Sequence, residues 1–535
     1  MALKHLGVML DCSRNAVMNV AAVKRYIDIL KRLGHNTLML YTEDTFEVDN
    51  QPYFGYLRGR YSQAELQEID AYASAQGIEL IPCVQTLAHL NAIVRWKTYK
   101  AHRDTADILL CDDPRTDKLI EDIFATLSKC FTSRTVHIGM DEAHMVGLGK
   151  YLDIHGYQDR FQLLIRHLKK VCDVAKSYGF SPIMWSDMFF RLVNAGDYTR
   201  PADFDSELIA QAPEEVGLVY WDYYYKDKAH YDDMIRSHRQ FSNELWFAGG
   251  LRTWCGFAPK NGFSMDTIDA AVPSLLQNGV EHVIFTQWGD DGQECSHFAT
   301  LPSLYYATRK LQGVEDTASI KADFCMEFGI EFDDYLLLDL AEATENSPNE
   351  RANPEKFMFY NDCFCGVFDC TVPEGFVPRY TACGQKLRRL SDHGEYSLLF
   401  DSMAKLCDFM QVKYTIGIRT RKAYRQRNMV AIEALISDYE QMQVLLERFY
   451  QSYKKRWNWE NKPHGFDVQD IRIGGLKQRI ESCKMRLSQY AKGEISAIEE
   501  LEEDILPEFP VKDAWHNCWA GEATVNTISW GMIAN

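Results

Sequence analysis

Short apolar segments alternate with longer amphipathic segments over the first 312 residues of the chain. In the amphipathic segments the apolar positions recur at helical spacing, as at Val23, Ile27 and Leu30, and this spacing predicts helices. The short apolar segments predict eight strands, at residues 6–11, 37–41, 79–85, 182–187, 217–222, 245–250 and 282–288, with the fourth strand ending at Asp141. Strands that alternate with helices in this number predict an α/β fold, a closed parallel (β/α)8 barrel of the TIM type.

Helix ends along this region carry their own signals. Ser62 and Glu65 have the spacing of a capping box, which opens a helix. Gly34, Gly77 and Gly313 lie directly after predicted helices, where glycine commonly ends a helix. A doubly wound open sheet is the alternative fold, but no glycine-rich phosphate turn follows the first strand. The barrel is therefore the preferred prediction.

After residue 312 the strand-like segments give way to long helical patterns, the clearest at residues 402–412, 423–455 and 474–503. This change predicts two domains, a catalytic barrel over residues 1–312 and a mainly helical C-terminal domain over residues 313–535. The aromatic and polar segment at residues 457–466 is predicted to be a packed loop between helices, with a cover over the barrel mouth or a partner subunit as the alternatives. A small strand pair is predicted at residues 523–532.

Composition narrows the functional class. The 535 residues are 46% hydrophobic, 13% aromatic and 25% charged, as in a folded protein. A net charge of −18 argues against a nucleic-acid partner, because no basic stripe is available to displace counterions. No segment reaches the length of a transmembrane helix, and the N-terminal residues lack signal-peptide features, so no membrane partner is expected. The 15 cysteines are scattered, which favours a reducing, cytoplasmic setting.

The fourth predicted strand ends in two adjacent carboxylates, Asp141 and Glu142. A parallel strand covered on both faces is apolar along its length, so acids at its end stand out. In barrel enzymes the carboxyl ends of the strands carry the active site. The alternative is structural, with Asp141 as the N-cap of the next helix and Glu142 as an acid in its first turn.

Aromatic residues and acids also occur together at other strand ends. Because side chains alternate along a strand, the members of each pair share a face. The pairs are Trp185 with Asp187, Tyr220 with Asp222, and Trp288 with Asp290, and further candidates at strand ends are Arg14, Trp221, Tyr223 and Trp254. Aromatic planes suit the C–H face of a pyranose ring, while Asp and Arg supply charge-assisted hydrogen bonds to its hydroxyls. The rim therefore predicts a carbohydrate ligand, and glycoside cleavage would require an acid for the leaving oxygen.

A metal site is a competing interpretation of the same stretch, with His137, Asp141, Glu142 and His144 as potential ligands. His137 lies four residues before Asp141, inside the strand, and does not obviously reach the same point. Only His89 offers a second histidine at a strand end. No metal and no other cofactor are therefore predicted, and His137 is expected to be a buried histidine.

Several of these segments resemble glycoside hydrolase family 20, the β-N-acetylhexosaminidases. His137-Ile-Gly-Met-Asp-Glu142 resembles the family's His-x-Gly-x-Asp-Glu signature, and Leu10-Asp-Cys-Ser-Arg14 resembles its first strand. The first helix, residues 23–30, is also similar. Tyr220-Trp-Asp222 and Gln287-Trp-Gly-Asp290 are similar to its sixth and eighth strand ends. The resemblance covers residues 1–312 and is to the subgroup that lacks the N-terminal domain and carries a helical C-terminal domain.

The resemblance implies an exo-β-N-acetylhexosaminidase that releases terminal β-linked GlcNAc or GalNAc with retention. In that mechanism the 2-acetamido oxygen of the substrate attacks the anomeric carbon and forms an oxazoline. Glu142 would then be the general acid and base, and Asp141 would accept the acetamido N–H. Tyr220 would donate to the acetamido oxygen, with Tyr223 as its main rival.

The resemblance also implies how the rest of the sugar is bound. Arg14 would hold the O3 and O4 side, and Trp288 with Asp290 the O4 and O6 side. Walls of the acetamido pocket would come from Trp185, Trp221 and Trp254, and Asp187 and Asp222 would complete the sugar-binding residues.

Two features depart from the family pattern. Leu87-Ala-His89 replaces the usual Pro-Gly-His, which leaves the role of His89 open, and Trp185-Ser-Asp187 replaces Trp-x-Glu. Two other functions remain as alternatives, a two-carboxylate retaining glycosidase that pairs Asp290 with Asp141 or Glu142, and a catalytically silent sugar-binding barrel. The acidic helical C-terminal domain suggests self-association, and a homodimer is the expected assembly.

Overall fold

Eight parallel strands pair with their neighbours in sequence, and the first strand pairs with the last to close a barrel. The computed structural model describes residues 3–505 except 242, 255, 291, 341–353, 367, 370–371, 373–376 and 393. The strands are β1 His5–Asp11, β2 Thr37–Glu43, β3 Glu79–Val84, β4 Thr135–His137, β5 Ser181–Trp185, β6 Gly217–Trp221, β7 Leu245–Gly250 and β8 His282–Gln287. The predicted barrel is confirmed.

Eleven α-helices lie between and after these strands in the described part of the barrel. They are α1 Val20–Arg32, α2 Gln63–Ala75, α3 Asn91–Val94, α4 Pro114–Cys130, α5 Lys150–His155, α6 Arg160–Ser177, α7 Asp187–Val193, α8 Ser206–Ile209, α9 Lys228–His238, α10 Asn261–Gln277 and α11 Leu301–Leu311. The capping box is present, since Ser62 accepts from the Glu65 backbone and Glu65 reaches back to Ser62. Helix α6 begins at Arg160, because Asp159 caps it by accepting from the Gln162 N–H.

The described part of the C-terminal region is mainly helical, as predicted. Its helices are α12 Thr317–Phe328, α13 Phe332–Tyr335, α14 Pro354–Tyr360, α15 Val377–Leu390, α16 Ser397–Arg425, α17 Met429–Glu460, α18 Phe466–Ala491 and α19 Glu499–Glu502. Among the residues that the structure describes, four segments are 3-10 helices, at Lys97–His102, His297–Thr300, Leu336–Asp339 and Gly394–Tyr396. The predicted strand pair at 523–532 lies outside the described residues. No helix in the described ranges is long and apolar enough to cross a membrane.

The barrel strands bury side chains on both faces. Inward side chains, among them Met9, Met39, Ile81 and Ile284, form one apolar cluster inside the barrel. Outward side chains form a larger core with the surrounding helices. Because both faces are apolar, the sequence pattern of a strand does not reveal which of its faces points inward.

The C-terminal helices bind the loop that follows β8 through buried charges. Glu294 in this loop is fully buried, and its Oε1 lies 2.6 Å from Arg472 Nη1 and 2.8 Å from Lys356 Nζ. Arg456 donates to the Glu294 carbonyl and pairs with Glu460 at 3.2 Å. We call these five residues the interface charge cluster. It anchors the loop that carries the candidate residues of the eighth strand end.

The segment between α17 and α18 packs against the loops after β1 and β2. Asn15 Nδ2 donates to the Gly465 carbonyl at 2.7 Å, and Lys462 Nζ lies 2.8 Å from Glu65 Oε2. Gly465 has a φ of +88°, and a Cβ there would lie 2.0 Å from the Asn15 carbonyl oxygen. The segment at residues 457–466 therefore includes a packed interhelical loop, and its contacts are with the barrel loops.

Candidate active site

The chain leaves β4 in an irregular conformation that presents Asp141 and Glu142. Gly139, Met140 and Glu142 have positive φ values of 73°, 72° and 49°. A side chain at Gly139 would place its Cβ 2.2 Å from Gln85 Oε1, so glycine is required there. The next helix, α5, begins only at Lys150. The helix-capping alternative for the acid pair is therefore wrong.

Asp141 is a largely buried residue of the cavity wall, and two neighbouring side chains contact its carboxylate. Gln85 Nε2 donates to its Oδ1 at 2.6 Å, and His89 Nε2 lies 3.2 Å from its Oδ2. Burial raises the pKa of Asp141, but the His89 cation and the Gln85 hydrogen bond outweigh it and bring the pKa to about 2. The structure therefore holds Asp141 as a carboxylate over the whole neutral range.

His89 is the cation of this pair. Burial lowers its pKa, and the Asp141 carboxylate raises it more, to about 9. His89 also has a positive φ of 55°, which places its ring on the cavity side of the loop after β3. The role of His89, which the sequence left open, is thus to charge and support Asp141.

Gln85 supports the acid pair from below. Its Oε1 accepts the backbone N–H of Met140 at 3.0 Å, while its Nε2 donates to Asp141 and to the Tyr41 hydroxyl, the latter at 2.9 Å. The amide thus fixes both the backbone and the side chain of the acid stretch. The sequence placed Gln85 at a strand end but gave it no role.

Glu142 is more open than Asp141, with 40% of its side chain exposed against 11%. Its Oε1 lies 3.2 Å from Arg191 Nη2, and its backbone N–H donates to Asp187 Oδ2 at 3.0 Å. His89 Nε2 is 3.7 Å from the other oxygen. The two adjacent acids therefore have different environments, one enclosed and one facing the cavity.

Arg14 lies at the opposite side of the cavity in a fixed position. Its guanidinium is 3.1 Å from Asp11 Oδ2 and 3.3 Å from Glu43 Oε1, and it lies over the rings of Tyr41 and Trp288 at 5.0 and 5.1 Å. These contacts use part of its donor set, and the side chain still lines the cavity. Glu43 was not recognised from the sequence.

A single cavity at the carboxyl rim of the barrel collects most of the predicted residues. Its lining is Arg14, His89, Asp141, Glu142, Trp185, Trp221, Tyr223, Tyr224, Trp254, Trp288 and Asp290. The aromatic walls are packed together, since Tyr223 stacks on Trp221 at 5.2 Å and meets Trp254 edge-on at 5.5 Å. Burial raises the pKa of Asp290 to about 6, although Arg14 opposes the shift. Tyr224 also lines the cavity.

Three predicted site residues lie elsewhere. Tyr220 points outward from β6 into the core between barrel and helices, where its hydroxyl donates to Asp222 at 3.1 Å. Asp222 also binds His230 at 2.8 Å, so neither residue reaches the cavity. The predictions that Tyr220 is catalytic and that Asp222 binds substrate are corrected, because the two residues share the outer face of the strand. Tyr223, beyond the strand end, faces the cavity instead.

Asp187 is the third predicted site residue that does not line the cavity. It is fully buried behind Glu142 and accepts from the Glu142 backbone and from Arg191 Nε at 2.9 Å. Burial and the nearby Asp141 charge raise its pKa to about 7. Its partners are protein groups, so the prediction that it binds substrate is corrected.

His137 is a neutral core residue. Burial lowers its pKa to about 3, its Nδ1 accepts the Gly139 backbone N–H at 3.1 Å, and its ring packs against Trp185 at 4.3 Å. It supports the floor of the cavity from beneath Trp185. Within the described ranges, no group of three or more His, Cys, Asp or Glu side chains is arranged to hold a metal ion.

A parallel barrel with an acid pair, an arginine and aromatic walls at its carboxyl rim defines a class of barrel proteins whose rim is suited to contact a sugar ring. Comparison with protein families places the chain within this class. The model "Glycosyl hydrolase family 20, catalytic domain" matches residues 3–231, and "Glycoside Hydrolase 20C C-terminal domain" matches residues 333–518. The chain belongs to glycoside hydrolase family 20.

Named relatives are distant. Hexosaminidase D of Bos taurus is 25% identical over 237 residues, which are 42% of this chain and 63% of that protein. Hexosaminidase D of Homo sapiens is 24% identical over 237 residues, 42% of this chain and 45% of that protein. The match thus spans less than two thirds of either relative.

Among solved structures, the chain is similar to a GH20 exo β-N-acetylglucosaminidase from Vibrio harveyi in complex with N-acetylglucosamine. The identity is 15%, the TM-score is 0.47, and the similarity covers 63% of this chain and 58% of that one.

Proposed function

We propose that this chain is an exo-acting β-N-acetylhexosaminidase that releases terminal β-linked GlcNAc or GalNAc with retention of configuration. The observation that carries the proposal is the unequal environment of the two adjacent acids. Asp141 is enclosed and ionised against His89, whereas Glu142 faces the cavity. One acid is thus suited to hold a polar substrate group and the other to exchange a proton.

The first step follows from these two environments. The Asp141 carboxylate accepts the N–H of the substrate's 2-acetamido group and stabilises positive charge that develops on it. The acetamido oxygen bonds to the anomeric carbon as the bond from that carbon to the leaving oxygen breaks. Glu142 gives its proton to the leaving oxygen. The product of the step is a protonated oxazoline (oxazolinium ion), whose N–H stays on nitrogen and whose positive charge is balanced by the Asp141 carboxylate, so the nucleophile comes from the substrate.

In the second step a water molecule replaces the leaving group. Glu142, now a carboxylate, takes a proton from the water as the water oxygen bonds to the anomeric carbon. The bond to the acetamido oxygen breaks, and the sugar leaves with its original configuration. Two inversions at one carbon account for the retention.

The remaining lining residues fit the substituents of one sugar. Tyr223 is the proposed donor to the acetamido oxygen, because Tyr223 lines the cavity and Tyr220 does not. Trp185, Trp221 and Trp254 supply apolar walls, and Arg14 with Asp290 supplies a cation and an acid for the hydroxyls. These contacts do not discriminate between the two epimers at C4, so both GlcNAc and GalNAc are proposed as the released sugar.

A panel of nitrophenyl glycosides tests the proposal. The N-acetyl-β-glucosaminide should be hydrolysed, while the plain β-glucoside, which lacks the acetamido group, should not. Equal turnover of both would exclude acetamido participation. Trapping of an enzyme ester with a fluoro-sugar would instead favour a two-carboxylate mechanism through Asp290. Binding of N-acetylglucosamine without turnover would favour the silent sugar-binding barrel.

We also propose a cytoplasmic setting and a homodimer. All twelve cysteines in the described part of the chain are free thiols, and most of them are buried, which fits a reducing compartment. Sedimentation would test the assembly, and fractionation of cells would test the location.

A further inference from the structure

The short helix α7 holds Glu142 at two points. Asp187, its first residue, accepts the Glu142 backbone N–H at 3.0 Å. Arg191, one turn later, places Nη2 3.2 Å from Glu142 Oε1 and donates from Nε to the same Asp187 oxygen at 2.9 Å. The three residues therefore form a closed ring of contacts.

Glu142 needs such support because its own backbone is unfavourable. A φ of +49° is uncommon for a residue with a side chain and persists only where the surroundings impose it. β4 ends at His137, so no strand pairing extends to this residue. The contacts with α7 consequently hold the Glu142 backbone and one carboxylate oxygen, while His89 lies 3.7 Å from the other oxygen.

Arg191 is itself held in place. Its Nη1 donates to the Gly196 carbonyl at 3.2 Å, and its guanidinium lies 5.7 Å from the centre of the Tyr198 ring. Its side chain is only 16% exposed, and Asp187 is fully buried. Neither residue lines the cavity, so any effect on the reaction must pass through Glu142.

We propose that Asp187 and Arg191 are positioning residues that hold Glu142 where it can deliver a proton to the leaving oxygen. The inference rests on the proposed role of Glu142 as general acid. It assigns a function to two residues that do not contact the sugar. Correct placement of a proton donor matters because general acid catalysis requires hydrogen-bond reach to the reacting atom.

Leaving groups of different quality test the inference. A 2,4-dinitrophenolate departs as a stable anion and needs no proton, whereas 4-methoxyphenolate needs one. Arg191→Met should lower kcat/KM for the 4-methoxyphenyl N-acetyl-β-glucosaminide about tenfold or more, a part of the roughly 10²–10⁴-fold effect of a general acid. For the dinitrophenyl substrate kcat/KM should stay within about twofold, because formation of the oxazoline then needs no acid.

Two conservative variants cover the case in which Arg191→Met does not fold. Arg191→Lys keeps the charge but loses the paired donors of the guanidinium, so an intermediate, leaving-group-dependent loss is expected. Asp187→Asn keeps the shape and should show the same pattern. Equal loss on both substrates in all three variants, or no loss in any, would overturn the inference.

Two controls separate this inference from the proposed function. Arg236→Met removes an exposed arginine that pairs with Asp233 on α9 and should change neither substrate. Glu142→Ala should lose the methoxyphenyl substrate selectively. If it does not, the proposed role of Glu142 fails. If it does while the α7 variants show no selectivity, the positioning role alone is rejected.

Discussion

Asp141 and His89 form an ion pair in the wall of the cavity, with 3.2 Å between Oδ2 and Nε2. The two residues follow neighbouring strands, β4 and β3, so the parallel pairing of these strands brings them together. Asp141→Asn would keep the shape but remove the charge that we propose orients the acetamido group. We expect kcat to fall about 10²-fold or more, since one preorganised transition-state contact is worth that much. Kinetics combined with thermal unfolding would show this, and a near-normal kcat would remove Asp141 from the reaction.

The same pair predicts how stability depends on pH. The pKa of His89 is raised from 6.5 to about 9 on folding, so its contribution is fully present below pH 6.5 and is lost as the pH rises through 9. The difference in Tm between wild type and His89→Gln should therefore be largest near pH 6 and shrink towards pH 9.5. His155→Gln, at an exposed histidine, provides the control. A difference that stays constant over this range would contradict the assignment.

Phenylalanine substitutions distinguish the two tyrosines. Tyr223→Phe removes a hydroxyl in the cavity lining and should lower kcat, while Tm stays close to wild type. Tyr220→Phe removes a donor to Asp222 in the outer core, so about 1 kcal/mol of stability should be lost with little change in kcat. Kinetics and denaturant unfolding of both variants would decide, and the reverse pattern would restore Tyr220 to the reaction.

Two glycines with left-handed backbones isolate the packing around the acid pair. At Gly139 a Cβ would meet Gln85, whereas at Gly179, with a φ of +79°, nothing lies within 4 Å. Gly179→Ala should cost about 1 kcal/mol for the backbone alone. Gly139→Ala should cost more and should also lower kcat, because displacement of Gln85 releases Asp141. Unfolding and kinetic measurements on both variants would check this, and equal behaviour would refute it.

The interface charge cluster predicts a coupling between the C-terminal helices and sugar binding. Arg472→Met leaves the buried Glu294 with one fewer cation, which should destabilise the protein by about 3–5 kcal/mol. KM should rise, because the same loop carries Asp290. Lys477→Met on the same helix breaks an exposed pair with Glu447 and should cost at most about 1 kcal/mol. An unchanged KM in a folded Arg472→Met protein would disprove the coupling.

The barrel could be predicted because short apolar segments alternate regularly with helical segments along the chain, and all eight predicted strands are present. The error at Tyr220 has a physical cause. Alternation showed correctly that Tyr220 and Asp222 share a face, but β6 is apolar on both sides, so the pattern did not show which face is inner. Tyr223 lies beyond the strand end, where alternation no longer applies.

The support around the acids was beyond sequence analysis for a different reason. Arg191 looks like an ordinary polar residue of a short helix, and its contact with Glu142 depends on the irregular backbone after β4. Glu43 and Gln85 likewise act through partners on other strands. Most residues that line the cavity could be listed from local motifs, whereas those that hold them in place required the assembled barrel.

The buried cluster around Glu294 also bears on how this chain can be divided or changed. Arg472 and Glu294 are 178 positions apart in the sequence, yet Glu294 contacts both Arg472 and Lys356 in one buried group of charges. A protein truncated at residue 312 would keep Glu294 but lose both of these cations. The position at which the secondary structure changes is therefore unsuitable for separating the barrel from the helices. The need to keep Glu294 paired with its cations also restricts natural variation. Substitutions at these three positions are expected to occur together, because a change at one of them leaves buried charge on the others.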